Sequence, residues 1–147
     1  MFRNILIPTD GSPLATLALD AGIAFANEAG AKITVLTVME PFNLFSTDAE
    51  QLASTKEDYE ALSRQHAGEI LAAATAKSEQ AGVPCETDQA RSHEVYRAII
   101  NKADDIGADL IIMASHGRGG VGALIIGSVA AKVLTHSTIP VLIYRNK

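Results

Sequence analysis

The chain has 147 residues, 48% hydrophobic and 20% charged, the size and balance of one compact domain with its own core, which excludes a disordered or fibrous chain. A formal charge of −5, with basic residues scattered (Lys32, Arg64, Arg97, Lys102, Arg118), argues against a nucleic-acid partner, and no apolar run is long enough to suggest a membrane span or signal peptide. The single cysteine, Cys85, makes an intrachain disulfide impossible and fits a reducing compartment, so a cytoplasmic location is expected.

The first apolar run, Ile5 to Ile7, reads as a strand stopped by Pro8. Ser12 followed by Pro13 is a helix-start signal; Leu14, Leu17, Ala18 and Ala21 then share one face, and Gly30 ends the helix. KITVLTV is a second strand, rich in β-branched residues. Residues 40–50 have no period and read as a loop. An Ala-rich helix follows over about 50–81, with Leu52, Tyr59, Leu62, Ile70 and Leu71 inward, His66 at the boundary and Gly82 closing it. CETDQAR is a polar third strand. Ser92 is placed to cap the next helix, in which Val95, Ala98, Ile99, Lys102, Ala103 and Ile106 recur at three-four spacing, the lysine being the one polar member; Gly107 ends it. DLIIMA is the fourth strand, Ser128 to His136 the fourth helix, and PVLIYR the fifth strand.

This alternation predicts an α/β fold of three layers: an open parallel five-stranded sheet with helices on both faces, residues 1–147 forming one domain. Strands one and four are unbroken apolar runs and belong at the centre, whereas the polar third strand belongs at an edge. The order 3-2-1-4-5, Rossmann-like, satisfies both. Strand five is then the other edge, and its apolar VLIYR segment predicts pairing with a second copy, a homodimer through residues 139–145.

In such sheets the ligand crevice lies beyond the carboxyl ends of the strands where the order reverses. Those ends are Pro8-Thr9-Asp10 and Ala114-Ser115-His116-Gly117, followed by Gly119, Gly120, Gly122 and Gly127. Gly117 suits a positive φ, and the Gly127-Ser128 helix start offers N–H groups, a dipole and a hydroxyl to an anion. Two to four charge-assisted hydrogen bonds of roughly 1.5–3 kcal/mol each suffice for about micromolar binding after association costs. A plain Gly-rich loop before an ordinary helix is the competing reading. Residues 117–122 also spell G-x-G-x-x-G, but the acid that a dinucleotide site needs about twenty residues on is replaced by the last strand near Leu142, and no P-loop lysine motif is present.

The spacing G-x2-G-x9-G-[ST] after the fourth strand, with PTDGS after the first, resembles the universal stress protein family, and the likeness runs from ILIPTDGS through DLIIMASHGRGG to GSVAAKVLTHSTIPVLIYR. The resemblance implies the same strand order, commonly a homodimer through the last strand, and, in one branch, ATP with Mg²⁺ or Mn²⁺. By position, Asp10 would bind the ribose, Pro8 and Thr9 would line the adenine side, and the Val38 backbone would meet the adenine ring. Gly117, Gly127, Ser128 and Val129 would take the phosphates, with Met113, Ala114, Ser115 and His116 completing the site. Ala114 departs from the pattern by standing where the first glycine belongs. At a negative φ this costs almost nothing; at a positive φ it costs roughly 1–2 kcal/mol, and the methyl would narrow the ligand's approach.

Other constellations fit less well. Asp10, His116 and Ser128 lack a nucleophile turn, the four histidines and Cys85 lack metal-ligand spacing, and a phosphoacceptor receiver would need a second acid after strand one and an aspartate ending strand three, where Asp88 comes too early. Arg91 and Arg118 read as solvated loop charges, Met113 as core and Met39 as a residue near the pocket rim. No residue stands out as a general base over a γ-phosphate, so any ATP hydrolysis should be slow. Two readings follow: a small ATP-binding protein of stress response or signalling, or a dimeric interaction module of the same family that binds no nucleotide.

Overall fold

The computed structural model describes residues 1–41, 49–117 and 126–145. Nine elements alternate along it: β1 (Asn4–Pro8), α1 (Pro13–Ala29), β2 (Lys32–Met39), α2 (Ala49–Ala81), β3 (Cys85–Arg91), α3 (Val95–Ile106), β4 (Leu110–Ala114), α4 (Ser128–His136) and β5 (Val141–Tyr144). The strands form one parallel sheet in the order β3-β2-β1-β4-β5. Among the described residues no helix is long and apolar enough to cross a membrane.

Strand periodicity divides the core in two. Ile5, Ile7, Leu110 and Ile112 project to one face with Ile33 and Val35, and meet Leu19, Ile23, Leu71 and Ala74 of α1 and α2. Leu6, Leu36, Ile111 and Met113 project to the other face, against Ile99, Ala103, Ala130 and Val133 of α3 and α4. Both faces of β1 and β4 are covered, which is why β1 is apolar from Ile5 to Pro8 and β4 throughout. Polar β3 lies at an edge as expected, where Asp88 takes a 2.7 Å hydrogen bond from Lys102 of α3. That bond explains the lysine in the otherwise apolar stripe, and it holds the Asp88 carboxyl below its ordinary range. At the opposite edge no β5 residue is fully buried, and Leu142 keeps 37% of its surface.

Helix α1 starts as its sequence dictates. The Ser12 hydroxyl accepts the Ala15 N–H at 3.3 Å, Pro13 opens the first turn, and Gly30 closes the helix at φ 66°. Its buried face differs from the expected one: Leu14, Ala15, Ala18, Leu19, Gly22 and Ile23 face the sheet, while Leu17 is exposed. A helix lying on a sheet buries a stripe wider than a three-four series, and Leu17 falls beyond its edge.

Two further expectations are corrected. Tyr59 and Leu62 of α2 are exposed, and burial begins only at Ala67. A helix of 33 residues is about 50 Å long, whereas the eight residues of β2 span about 26 Å, so the first turns of α2 overhang the sheet. The Leu52 side chain lies outside the described residues, and His66 is exposed. Ser92 does not cap α3. Its N–H continues the β3 ladder to the Met39 carbonyl at 3.0 Å, and its hydroxyl accepts the Glu94 N–H, leaving Glu94 at the cap position without a side-chain capping bond.

Candidate functional site

The crevice opens because α1 leaves β1 toward one face of the sheet and α4 follows β4 on the other. After β1 the chain turns tightly. The Thr9 N–H donates to the Leu36 carbonyl at 2.9 Å, Thr9 Oγ1 accepts the Gly11 N–H at 3.2 Å, and Asp10 Oδ1 accepts the Ser12 N–H at 2.9 Å. The Asp10 carboxylate is thereby pinned at the start of α1 and faces Gly117.

Along β2 the backbone groups of even residues point to β1 and those of odd residues to β3, as the Lys32–Arg3 and Ile33–Pro84 bonds show. The ladder toward β1 ends with Thr9 and Leu36, so this alternation directs the Val38 N–H and C=O past the end of β1 into the crevice. One donor and one acceptor on adjacent main-chain atoms match the edge of a planar heterocycle.

On the β4 side the Gly127 N–H donates to the Ser115 carbonyl at 2.6 Å, which ties the start of α4 to the end of β4. A Cβ on Gly127 would sit 3.0 Å from the Ser115 oxygen and 3.1 Å from His116 Cα, and a Cβ on Gly117 would collide with the Asp10 carboxylate. A side chain at Gly127 would require the Ser115–His116 backbone to give by a few tenths of an ångström, and one at Gly117 would require the Asp10 carboxylate to shift. The expected positive φ at Gly117 is therefore corrected: it is not among the glycines with positive φ, and its lack of a side chain serves close approach instead. The first turn of α4 has no side-chain cap, and its first residues, Ser128 and Val129, line the crevice. The Gly127 N–H, expected to face the ligand, is taken by Ser115.

These parts enclose a cavity of about 500 Å³. Pro8, Thr9, Asp10 and Val38 line one side, and Met113, Ala114, His116, Gly117, Gly127, Ser128 and Val129 the other. Ser115 does not line it; it is buried, with its hydroxyl 3.3 Å from His116 Nδ1. Met39 does not line it either, because the pleat turns it to the face opposite Val38. Arg91 lies 3.4 Å from Glu60 and away from the cavity; Arg118, Gly119, Gly120 and Gly122 fall outside the described residues. Sequence reasoning missed Ala15, Leu36, Glu40, Val95, Ile99 and Ala130. Val95 and Ile99 were legible as one turn of the α3 stripe, and Leu36 and Val38 as alternate residues of one strand, with Glu40 just past its end.

Ala114 adopts no positive φ, and its methyl joins Leu14, Ala15, Ala18 and Tyr144 in a small core cluster. The strain considered from sequence does not arise. Ala114→Gly is expected to lower stability by about 0.5–1 kcal/mol in chemical denaturation and to leave ligand affinity within about threefold; a tenfold gain in affinity would contradict this account.

Among the described residues no group of three or more His, Cys, Asp or Glu is arranged to hold a metal ion. Burial pushes the Cys85 thiol up, which disfavours a nucleophilic thiolate there.

Comparison with known proteins agrees with this architecture. The sequence profile of the universal stress protein family matches residues 1–145. Universal stress protein YxiE of Bacillus subtilis is 32% identical over 149 residues, covering 99% of this chain and 100% of its own. Among solved structures, hypothetical protein MJ0577 superposes with a TM-score of 0.84 at 25% identity, covering 100% of this chain and 98% of its own. A universal stress protein in complex with cAMP superposes with a TM-score of 0.72 at 26% identity, covering 99% of both chains. Sequence matched nearly end to end and the superposed fold lead to one assignment: the chain belongs to the universal stress protein family.

Proposed function

We propose that this chain binds an adenine nucleotide, ATP with Mg²⁺ or Mn²⁺, between β1 and β4, and acts in the cytoplasm in stress response or signalling, with occupancy tuning its stability or partner choice. The observation that carries the reading is the bare main chain at Gly117 and Gly127, where a Cβ would strike Asp10 or the Ser115–His116 backbone, next to the uncapped start of α4. In this reading the Val38 backbone meets the adenine edge between Leu36, Val95 and Ile99, and Asp10 takes the ribose. The Ser128 and Val129 amides, the Ser128 hydroxyl and the Gly117 backbone hold the phosphates. A cavity of about 500 Å³ is of the size that ligands of this class occupy. The complex of the 26%-identical neighbour with cAMP supports the ligand class. The alternative, a dimeric module without nucleotide, rested on Ala114; the absence of a positive φ there and its packing with the α1 cluster favour the nucleotide reading.

This reading takes any hydrolysis as slow and the role as binding: among the described residues, Asp10 and Glu40 are the carboxylates lining the cavity, and they stand at opposite ends of it. The half-covered, apolar β5 at the sheet edge supports a homodimer through residues 139–145; a concentration-independent monomer mass in sedimentation would overturn that part alone. At 100 times the dissociation constant, MgATP should stabilise the protein by about 2.7 kcal/mol, a melting shift of several degrees in calorimetry. No shift with millimolar MgATP would defeat the nucleotide reading.

A further inference from the structure

We propose that Glu40 reads the exocyclic group of the bound base and gives the cavity a preference for a 6-aminopurine over a 6-oxopurine; the proposal rests on the nucleotide reading above. Sequence reasoning left residue 40 in a loop, yet Glu40 lines the cavity. The pleat of β2 gives the reason. Leu36 and Val38 face the α3 side of the sheet, and Glu40, two residues beyond Val38, continues that series. The Tyr59 hydroxyl of α2 donates to the Glu40 carbonyl at 3.2 Å and anchors the backbone from which the side chain projects.

The position is chemically pointed. Of the two carboxylates that line the cavity, Asp10 is engaged with the Ser12 N–H and faces Gly117, toward the phosphate end. Glu40, an exposed residue just past the end of β2, stands at the opposite, base end, two residues beyond Val38. An ionised carboxylate accepts hydrogen bonds and donates none. A 6-amino group has two hydrogens, one for the Val38 carbonyl and a second for Glu40. A 6-oxo group would set a lone pair against the carboxylate with no hydrogen between them, a mismatch that binding sites penalise more than a merely absent contact.

The test is calorimetric titration of ATP and ITP into the full chain as wild type, Glu40→Ala and Glu40→Gln. The wild type is expected to prefer ATP. Glu40→Ala should lower the ATP-to-ITP affinity ratio about tenfold, the worth of one partly solvated, charge-assisted hydrogen bond. Glu40→Gln should lower the ratio by strengthening ITP, because its amide can donate to the 6-oxo group. If Glu40→Ala strengthens both nucleotides equally, the carboxylate only repels polyphosphate and the proposal is overturned. An unchanged ratio in both variants overturns it too. If the wild type binds neither nucleotide, the nucleotide reading falls and takes this one with it.

Discussion

Gly127→Val is expected to remove nucleotide binding while leaving a folded protein. The new Cβ would stand 3.0 Å from the Ser115 carbonyl oxygen and 3.1 Å from His116 Cα. These atoms end a strand buried at every position and have little room to yield. The start of α4 must therefore move away from β4, stretching the 2.6 Å bond from the Gly127 N–H to Ser115 and displacing the Ser128 and Val129 amides together. Because the deeper turns of α4 stay anchored by Ala130 and Val133, the damage should remain local, at about 1–3 kcal/mol of stability. Losing two or more charge-assisted hydrogen bonds at once should weaken MgATP by at least about 100-fold. Titration calorimetry beside a denaturant melt reads both quantities, and an affinity within threefold of wild type would show that the α4 start does not hold the phosphates.

The second large effect concerns a pair. Gly117→Ala places a methyl against the Asp10 carboxylate, which cannot swing aside without giving up the Ser12 N–H at 2.9 Å. Gly117→Ala should thus act by displacing Asp10, and Asp10→Ala by deleting the same carboxylate. Each alone is expected to weaken MgATP by about 10–100-fold, the range for hydrogen bonds to a charged group. The double variant should be no weaker than Asp10→Ala alone, because the collision vanishes with the carboxylate. Fully additive losses would mean that Gly117 acts through its own main chain and not through Asp10.

Much of this was legible in the chain itself. Helix and strand periods, the Ser12-Pro13 start, the Gly30 and Gly107 stops and the polarity of CETDQAR are signals confined to a few neighbouring residues, and the structure carries them out where expected. Strand order followed as well, since only strands covered on both faces can be apolar throughout. The location of the crevice came with the order, because it is a property of topology. Signals of the same kind failed where a neighbouring element decided the outcome. Ser92 looked like a cap, but the β3 ladder extends through its N–H and moves the cap to Glu94. Tyr59 and Leu62 looked inward-facing, but the sheet is too short to reach them.

The sequence by itself determined the elements, their order in the sheet and the end of it where a ligand site belongs, because each depends on how apolar residues repeat within one segment. Only the tertiary structure decided why Gly117 and Gly127 are glycine, what Ala114 packs against and that Glu40 belongs to the cavity. Those facts are collisions and contacts between separate segments, as far apart in sequence as Asp10 and Gly117, and no local pattern encodes them. They arise when two crossovers leave the sheet on opposite faces and bring their backbones together at its carboxyl end.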